Sequence, residues 1–141
     1  QILEGSFFKY EVFTVLNHEN SRVLIVDDDL EFQRSLSKIL QKAGYEVCVA
    51  ADGLQASNML SHEYYPLILL DVHMPGKSGL ELLKEVKQKS PESNVIIVTV
   101  NGATESLWEV EKAGAFAFLS KPVKREQILH YVEQALQVPH Y

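Results

Sequence analysis

Short runs that are apolar at almost every position, rather than at every second one, most constrain the fold of this chain. Arg22–Val26, Pro66–Leu70 and Asn94–Val100 are such runs. A strand without polar–apolar alternation is suited to burial on both faces, which is the situation of parallel strands covered by helices on each side. These runs therefore predict a parallel sheet inside a layered α/β domain.

Amphipathic segments separate the apolar runs. The spacing of their apolar residues predicts five helices, over Glu31–Ala43, Gly53–His62, Ser78–Lys89, Ala103–Ala113 and Val123–Gln137. The strands that alternate with them are predicted over Arg22–Val26, Tyr45–Ala50, Pro66–Leu70, Asn94–Val100 and Ala115–Leu119. This alternation is typical of a doubly wound α/β fold, a five-stranded parallel sheet with helices on both faces. We assign residues 22–138 to this domain and residues 1–21 to an N-terminal extension or linker.

Charged side chains stand at the ends of three predicted strands. Asp27 and Asp28 follow the first strand, Asp71 follows the third, and Lys121 comes shortly after the fifth. A charge at the end of a buried strand is costly unless it has partners. The carboxyl ends of parallel strands meet at one edge of the sheet, where open α/β sheets bind ligands. The sequence therefore predicts an acidic pocket that faces one lysine.

The three aspartates suit a metal ion. Carboxylate oxygens are preferred ligands of hard cations such as Mg²⁺, and a divalent ion removes the repulsion between clustered carboxylates. Asp27–Asp29 also precede a predicted helix, so helix capping explains any single one of them equally well. An acidic pair together with a third Asp at another strand end favours the metal site.

Two further residues are candidates for the same edge. Lys121 is suited to pair with Asp71 or with a bound anion, and Pro122 after it argues against an irregular solvated loop. Thr99 lies near the end of the fourth strand, where its hydroxyl can donate to an anionic group. Taken alone, Thr99 is better explained by the preference of threonine for strands.

These motifs together resemble the receiver domain of two-component response regulators. The resemblance rests on Asp27–Asp28, on Asp71 within Leu69–Gly76, on Thr99 and on Lys121–Pro122, and it covers about Arg22 to Gln137. It implies the flavodoxin-like strand order 2-1-3-4-5. It also implies a phosphorelay function, in which a sensor histidine kinase or phosphotransfer protein supplies a phosphoryl group and a downstream effector domain or protein responds.

The resemblance assigns a role to each acidic position. Asp71 is the implied phosphoacceptor. Asp28 and Asp71 are the implied direct ligands of Mg²⁺, with the backbone carbonyl of His73 as a third ligand, and Asp27 is implied to hold the ion through water. The chemistry is compatible with this assignment, because phosphoryl transfer depends mainly on positioning and charge neutralisation.

The resemblance also implies a switch. Lys121 contacts the phosphoryl oxygens, Thr99 hydrogen-bonds them once the acyl phosphate forms, and Phe118 occupies the position of the aromatic switch residue. The output surface of the family is formed by the fourth helix, the fifth strand and the fifth helix. Trp108 lies off the apolar stripe of that fourth helix, so it is either a partner contact or a half-buried flank residue.

Several positions depart from the family pattern. Val100 follows Thr99 where a small residue is usual, so its branched side chain is expected to narrow access to Asp71. The side chain of His73 is expected to face the attacking water, and Phe118 lacks a hydroxyl, so its switching depends on ring packing. The segment after Gly114 lacks paired acids, which argues against a dimer held by a charge network on the output surface.

Composition excludes other classes. Lys plus Arg is 13 and Asp plus Glu is 19, and the net charge of -6 argues against direct nucleic-acid binding. No apolar stretch approaches the ~20 residues of a membrane span, and no signal peptide is evident. Cys48 is the only cysteine, so no internal disulfide can form, and a cytoplasmic location is expected.

Two competing functions remain. The first is a receiver-like protein-interaction module that does not cycle phosphate, and Val100 is its best support. The second is a phosphohydrolase with an aspartate nucleophile, because Asp27 and Asp29 have the one-residue spacing of such enzymes. Glu31 stands where that motif needs Thr or Val, and the hydrolase leaves Asp71 and Lys121 unexplained. A dinucleotide-binding role lacks the glycine-rich turn that it needs.

Overall fold

The computed structural model describes residues 21–100 and 107–137, with the side chains of residues 107 and 108 left aside. Within these ranges the strands are β1 (Arg22–Val26), β2 (Glu46–Ala50), β3 (Leu67–Leu70), β4 (Asn94–Val100) and β5 (Ala117–Lys121). The helices are α1 (Leu30–Lys42), α2 (Gly53–His62), α3 (Gly79–Lys89), α4 (Leu107–Lys112) and α5 (Arg125–Gln137). The proposed N-terminal extension, apart from residue 21, and the beginning of the predicted fourth helix lie outside the described residues.

All strand pairs are parallel, and the strand order is β2-β1-β3-β4-β5. This confirms the predicted doubly wound fold. In the register, Val26 pairs with Leu70, Leu70 with Ile97, and Ile97 with Phe118. The carboxyl ends of β1 and β3 therefore lie side by side, at the point where the strand order reverses. Open α/β sheets bind ligands at this point.

Each face of the sheet carries its own apolar core. Ile68 and Leu70 belong to the core under α2, α3 and α4, whereas Leu67 and Leu69 belong to the core under α1 and α5. All four side chains are almost completely buried. Because successive side chains point to opposite faces, β3 can be apolar throughout only when helices cover both faces. This explains the absence of alternation in its sequence.

Local capping sets where two helices begin near the carboxyl edge. Asp29 is the N-cap of α1, and its carboxylate accepts hydrogen bonds of 3.1 Å from the backbone N–H groups of Glu31 and Phe32. Ser78 caps α3 by accepting from the N–H of Glu81 at 3.2 Å. These bonds satisfy amide groups that have no partner within their own helix.

The fifth strand lies further along the chain than predicted. It spans Ala117–Lys121 rather than Ala115–Leu119, so Lys121 is its last residue instead of a loop residue. The reason is the length of β4, because the ladder continues until Val100 pairs with Lys121. The other strands and helices begin or end within two residues of the predicted positions wherever the chain is described. None of the described helices combines the length and apolar content that crossing a membrane requires.

Candidate functional site

Three carboxylates meet at the carboxyl ends of β1 and β3. Asp27 and Asp71 are buried directly after their strands, with 2% and 5% of their surfaces exposed, while Asp28 is exposed. One oxygen from each of the three lies within 4.8 Å of the others. The clustering follows from the sheet, because β1 and β3 are hydrogen-bonded neighbours that end at the same level.

Lys121 reaches this cluster from the end of β5. Its ammonium nitrogen lies 2.8 Å from Oδ2 of Asp27 and 3.2 Å from Oδ2 of Asp71. Only 14% of the lysine side chain is exposed. The Lys121–Pro122 peptide bond is cis. The structure thus brings together the acids and the lysine that the sequence placed at separate strand ends.

The two oxygens of Asp71 have different surroundings. Oδ1 accepts a 2.8 Å hydrogen bond from the hydroxyl of Thr99 and a 3.0 Å bond from the backbone N–H of His73. Oδ2 faces Lys121. Thr99 is completely buried, whereas His73 is exposed as a residue. The phosphoacceptor candidate is therefore held from three directions by groups on β4, on β5 and in the segment that follows β3.

Burial and charge act against each other in this pocket. Burial raises the pKa of Asp27, although the hydrogen bonds from Lys121 and from the Asp29 amide partly oppose that shift, and the charge of Asp71 adds to it. Burial alone would lower the pKa of Lys121, but its hydrogen bonds and its attraction to Asp27 and Asp71 raise it. Lys121 is therefore held charged, while the clustered carboxylates are not fully neutralised by it.

The chemistry of this donor set fits a hard divalent cation. All the side-chain ligand atoms offered by Asp27, Asp28 and Asp71 are carboxylate oxygens, and Lys121 supplies one positive charge to three acidic groups. Mg²⁺ takes oxygen ligands and retains waters, so an exposed carboxylate such as Asp28 beside two buried ones suits it. The residues present are therefore compatible with a metal site, which the sequence predicted.

Two residues of α1 support the pocket and were missed by sequence reasoning. Gln33 is buried, and its side-chain amide donates to the backbone carbonyls of Asp27 at 3.1 Å and of Ala50 at 3.2 Å. Phe32 places its ring centroid 4.3 Å from the Lys121 ammonium, a cation–π contact. A signal existed for Gln33, because it is a polar residue on the apolar stripe of a helix. Phe32 was indistinguishable from a core residue.

The remaining predicted residues lie around the pocket rather than in it. Val100 is the last residue of β4, is 56% exposed, and pairs with Lys121 in the ladder. Phe118 is partly buried against the core under α2, α3 and α4. A surface cavity between α4 and β5 is lined by residues that include Phe118 and Val110. Trp108 belongs to α4, and its side chain lies outside the described part of the structure.

Fold and site together define a doubly wound α/β domain with an acidic, lysine-facing pocket at its switch point. The model of the response regulator receiver domain matches residues 23–133, and the chain belongs to this family. The domain is therefore a signalling module of the kind found in two-component response regulators.

Curated relatives agree with this assignment. Sporulation initiation phosphotransferase F of Bacillus subtilis (strain 168) is 35% identical over 117 residues, which cover 83% of this chain and 94% of the relative. The transcriptional regulatory protein ZraR of Escherichia coli (strain K12) is 34% identical over 125 residues. That match covers 89% of this chain but only 28% of ZraR, so the chain spans about a quarter of that longer regulator.

Solved structures show the same fold. A CheY-like response regulator receiver domain protein from Methanospirillum hungatei JF-1 has a TM-score of 0.78 and 34% identity, and the match covers 82% of this chain and 92% of the other. The receiver domain of NtrX from Brucella abortus has a TM-score of 0.78 and 29% identity, with 83% and 99% covered. Both are receiver domains whose lengths are close to that of the matched region.

Proposed function

We propose that Asp71 accepts a phosphoryl group from a phosphohistidine of a sensor histidine kinase or phosphotransfer protein. The observation that carries this proposal is the setting of its carboxylate, which is bound by Thr99 and the His73 amide on one oxygen and faces Lys121 with the other. A carboxylate held in this way is oriented for attack without further ordering. An Asp71 oxygen forms a bond to phosphorus, the phosphorus–nitrogen bond breaks, and its electron pair returns to the imidazole of the donor.

The domain itself would supply the means for transfer and for later hydrolysis, and it needs no separate enzyme for either. Lys121 lies where a phosphoryl group on Asp71 would bring new negative charge, so its ammonium offsets that charge. Its present partner Asp27 keeps it at the site before phosphorylation. Phosphoryl transfer requires little else from the protein than such positioning and neutralisation.

We propose Mg²⁺ as the cofactor, held directly by Asp28, Asp71 and the backbone carbonyl of His73, and through water by Asp27. When bound, the ion would neutralise the clustered carboxylates and the charge on the phosphoryl oxygens. The raised pKa of Asp27 supports this proposal, since it reflects a charged group that burial disfavours and that a cation would stabilise. Metal binding is therefore expected to weaken as the pH falls towards the pKa of Asp27.

Signal output would begin at Thr99. Its hydroxyl now donates to Asp71, and a phosphoryl group on that carboxylate offers it new acceptors. We propose that Thr99 then moves with Phe118, and that the surface cavity lined by Phe118 between α4 and β5 gives the ring room to repack. The surface formed by α4, β5 and α5, with Trp108 as a contact, would present the result to a downstream effector domain or protein.

The assignment also carries proposals about context. Residues 22–138 form the receiver unit, and residues 1–21 form an extension or linker. The acidic net charge of -6 supports signalling through protein partners rather than by direct nucleic-acid or membrane binding. We propose that the domain works in the cytoplasm.

The test is phosphorylation of the full chain by acetyl phosphate with Mg²⁺, followed by intact-mass spectrometry. We expect one phosphoryl group that base and hydroxylamine release in the wild type and none in Asp71→Asn, with unchanged circular dichroism in both. Asp52→Asn is the matched control, because Asp52 is a carboxylate that caps α2 outside the pocket. It should be phosphorylated like the wild type. Stoichiometric labelling that persists in Asp71→Asn would contradict the assignment.

The runner-up function is an interaction module that does not cycle phosphate. Val100, which is exposed and pairs with Lys121 in the ladder, is the observation that favours it, because its branched side chain would narrow access to the pocket. Beryllofluoride with Mg²⁺ separates the two functions. If the domain cycles phosphate, adding beryllofluoride and Mg²⁺ should change its fluorescence spectrum, and the change should be absent in Asp71→Asn. The interaction module predicts no change in either protein. Within the leading proposal, Val100→Ala should accelerate phosphorylation by acetyl phosphate, and replacement of His73 should alter the lifetime of the acyl phosphate.

A further inference from the structure

Lys77, Ser57 and Glu85 form a group of linked side chains, the clip, beside the pocket. Lys77 lies in the segment that connects Asp71 to α3, and its ammonium donates a 2.7 Å hydrogen bond to the hydroxyl of Ser57 on α2. The same ammonium forms an ion pair with Glu85 on α3. The side chains of Lys77 and Glu85 are only 22% and 16% exposed. One lysine therefore ties the connecting segment to two helices at once.

The backbone around this clip is closely confined. A Cβ on Gly53, the first residue of α2, would lie 2.8 Å from both the Cβ and the carbonyl oxygen of Lys77. A Cβ on Gly79, the first residue of α3, would lie 2.4 Å from the Cα of Val72. Both distances are shorter than side-chain carbons tolerate. The connecting segment is therefore pressed between the first turns of α2 and α3.

The clip is ionic and is shielded from solvent. Burial alone would raise the pKa of Glu85, but hydrogen bonds from Lys77 and Ser57 and the charges of Lys77 and Lys89 lower it. Lys89 lies at 3.9 Å from Glu85 and is 70% exposed, so it is an outer and weaker partner. The charged form of Glu85 is thus favoured, and loss of one partner of the ion pair leaves the other partly buried.

The clipped segment leads directly to the site. The backbone N–H of His73 donates a hydrogen bond of 3.0 Å to Oδ1 of Asp71. The next residue, Met74, is buried in the core under α2, α3 and α4. A shift of the segment therefore changes the surroundings of the Asp71 carboxylate. The proposed metal ligands include the carbonyl of the same His73.

We propose that Lys77, held by Glu85 and Ser57, is a positioning residue that sets the affinity of the pocket for Mg²⁺. The clip fixes the backbone from Val72 to Ser78, and this backbone carries the His73 carbonyl and orients Asp71. This inference rests on the proposed function, because it concerns the same metal site. It adds a group outside the pocket that acts on the site through the backbone.

The experiment is calorimetric titration of the full chain with MgCl₂, alongside thermal unfolding without metal. We expect Lys77→Met and Glu85→Gln to weaken Mg²⁺ binding by about tenfold, within the range seen when groups that support metal ligands are removed. Lys77→Arg keeps the ion pair and should stay close to the wild type. Lys89→Met is the matched control, because it removes the exposed partner of the same Glu85, and it should leave the Mg²⁺ affinity unchanged.

The outcomes separate a positioning role from a structural one. An unchanged Mg²⁺ affinity in Lys77→Met and Glu85→Gln overturns the inference, whether or not their unfolding temperatures fall. If Lys77→Met does not fold, Glu85→Gln carries the test, because it removes the charge and keeps the shape. A wild type that binds no Mg²⁺ overturns both this inference and the proposed function. If the wild type binds Mg²⁺ and becomes phosphorylated on Asp71, and the variants have the same Mg²⁺ affinity, only this inference is overturned.

Discussion

The ammonium nitrogen of Lys121 lies 2.8 Å from Oδ2 of Asp27, closer than its 3.2 Å distance to Oδ2 of Asp71. The lysine is therefore bound more closely to Asp27 than to Asp71, the proposed phosphoacceptor. A phosphoryl group on Asp71 would compete with Asp27 for this one cation. The ammonium group of Lys121 can thus shift between Asp27 and Asp71 without a large movement of the backbone.

Asp27→Asn should have opposite effects on stability and on metal binding. Burial and the nearby charge of Asp71 raise the pKa of Asp27, so the folded pocket disfavours its ionised form. Without metal, we expect the neutral variant to have a higher free energy of unfolding at pH 7, measured by urea denaturation. Its Mg²⁺ affinity should fall by about 10- to 100-fold, measured by calorimetry. Asp29→Asn is the control, because Asn is an equally good N-cap, and it should change neither quantity. Lower stability of Asp27→Asn would contradict the reasoning.

The ring of Phe32 is expected to hold Lys121 in place. Its centroid lies 4.3 Å from the ammonium, and such contacts contribute about 0.5–2 kcal/mol. Phe32→Leu retains an apolar side chain but removes the ring, so phosphorylation by acetyl phosphate should slow by about twofold to thirtyfold. Phe32→Tyr retains the ring and should react at nearly the wild-type rate. Equal rates in the leucine and tyrosine variants would show that the ring is only a core residue.

Gln33 is expected to matter more than its place on a surface helix suggests. Its amide donates to the backbone carbonyls of Asp27 and Ala50 inside the protein. Gln33→Leu removes both bonds. The carbonyl of Ala50 still accepts from the N–H of Asp27, but the carbonyl of Asp27 loses its side-chain donor. This loss should lower the free energy of unfolding by about 2 kcal/mol. Gln41→Leu makes the same chemical change at an exposed position of α1 and should cost little. Similar values from chemical denaturation of the two variants would refute the prediction.

Tyr65 should make the protein less stable at alkaline pH. Burial, with the nearby Cys48 and Glu63 as further causes, raises the pKa of Tyr65 from 10.0 to about 12. As the pH rises, the unfolded chain loses the Tyr65 proton before the folded protein does. The stabilisation of the folded state by protonated Tyr65 is therefore complete below pH 10 and is lost as the pH rises through the folded pKa. The predicted slope is about -1.4 kcal/mol per pH unit in that window. Urea denaturation from pH 9 upwards should show a shallower decline in Tyr65→Phe than in the wild type. Parallel curves would exclude this role for Tyr65.

Much of the fold was predictable because its signals are local. The unalternated apolar run of β3 indicates helices on both faces, and Ser78 and Asp29 stand where helix caps are needed. The limits of β5 were wrong by two residues, because they depend on its pairing with β4 rather than on its own composition. Register is a relation between distant segments, and a single segment does not carry it.

The sequence by itself determined the class of fold, the acids at the ends of β1 and β3, and their suitability for a metal. Only the tertiary structure decided which contacts each of these residues makes. It makes Asp29 a helix cap and Asp27 a partner of Lys121, although the two differ by only two positions. It also brings Thr99 and Lys121 to Asp71, and it recruits Phe32 and Gln33 as supports. The physical reason is that sequence periodicity specifies which face of an element is buried, whereas contacts across 28 or 50 positions depend on the packing of the whole sheet.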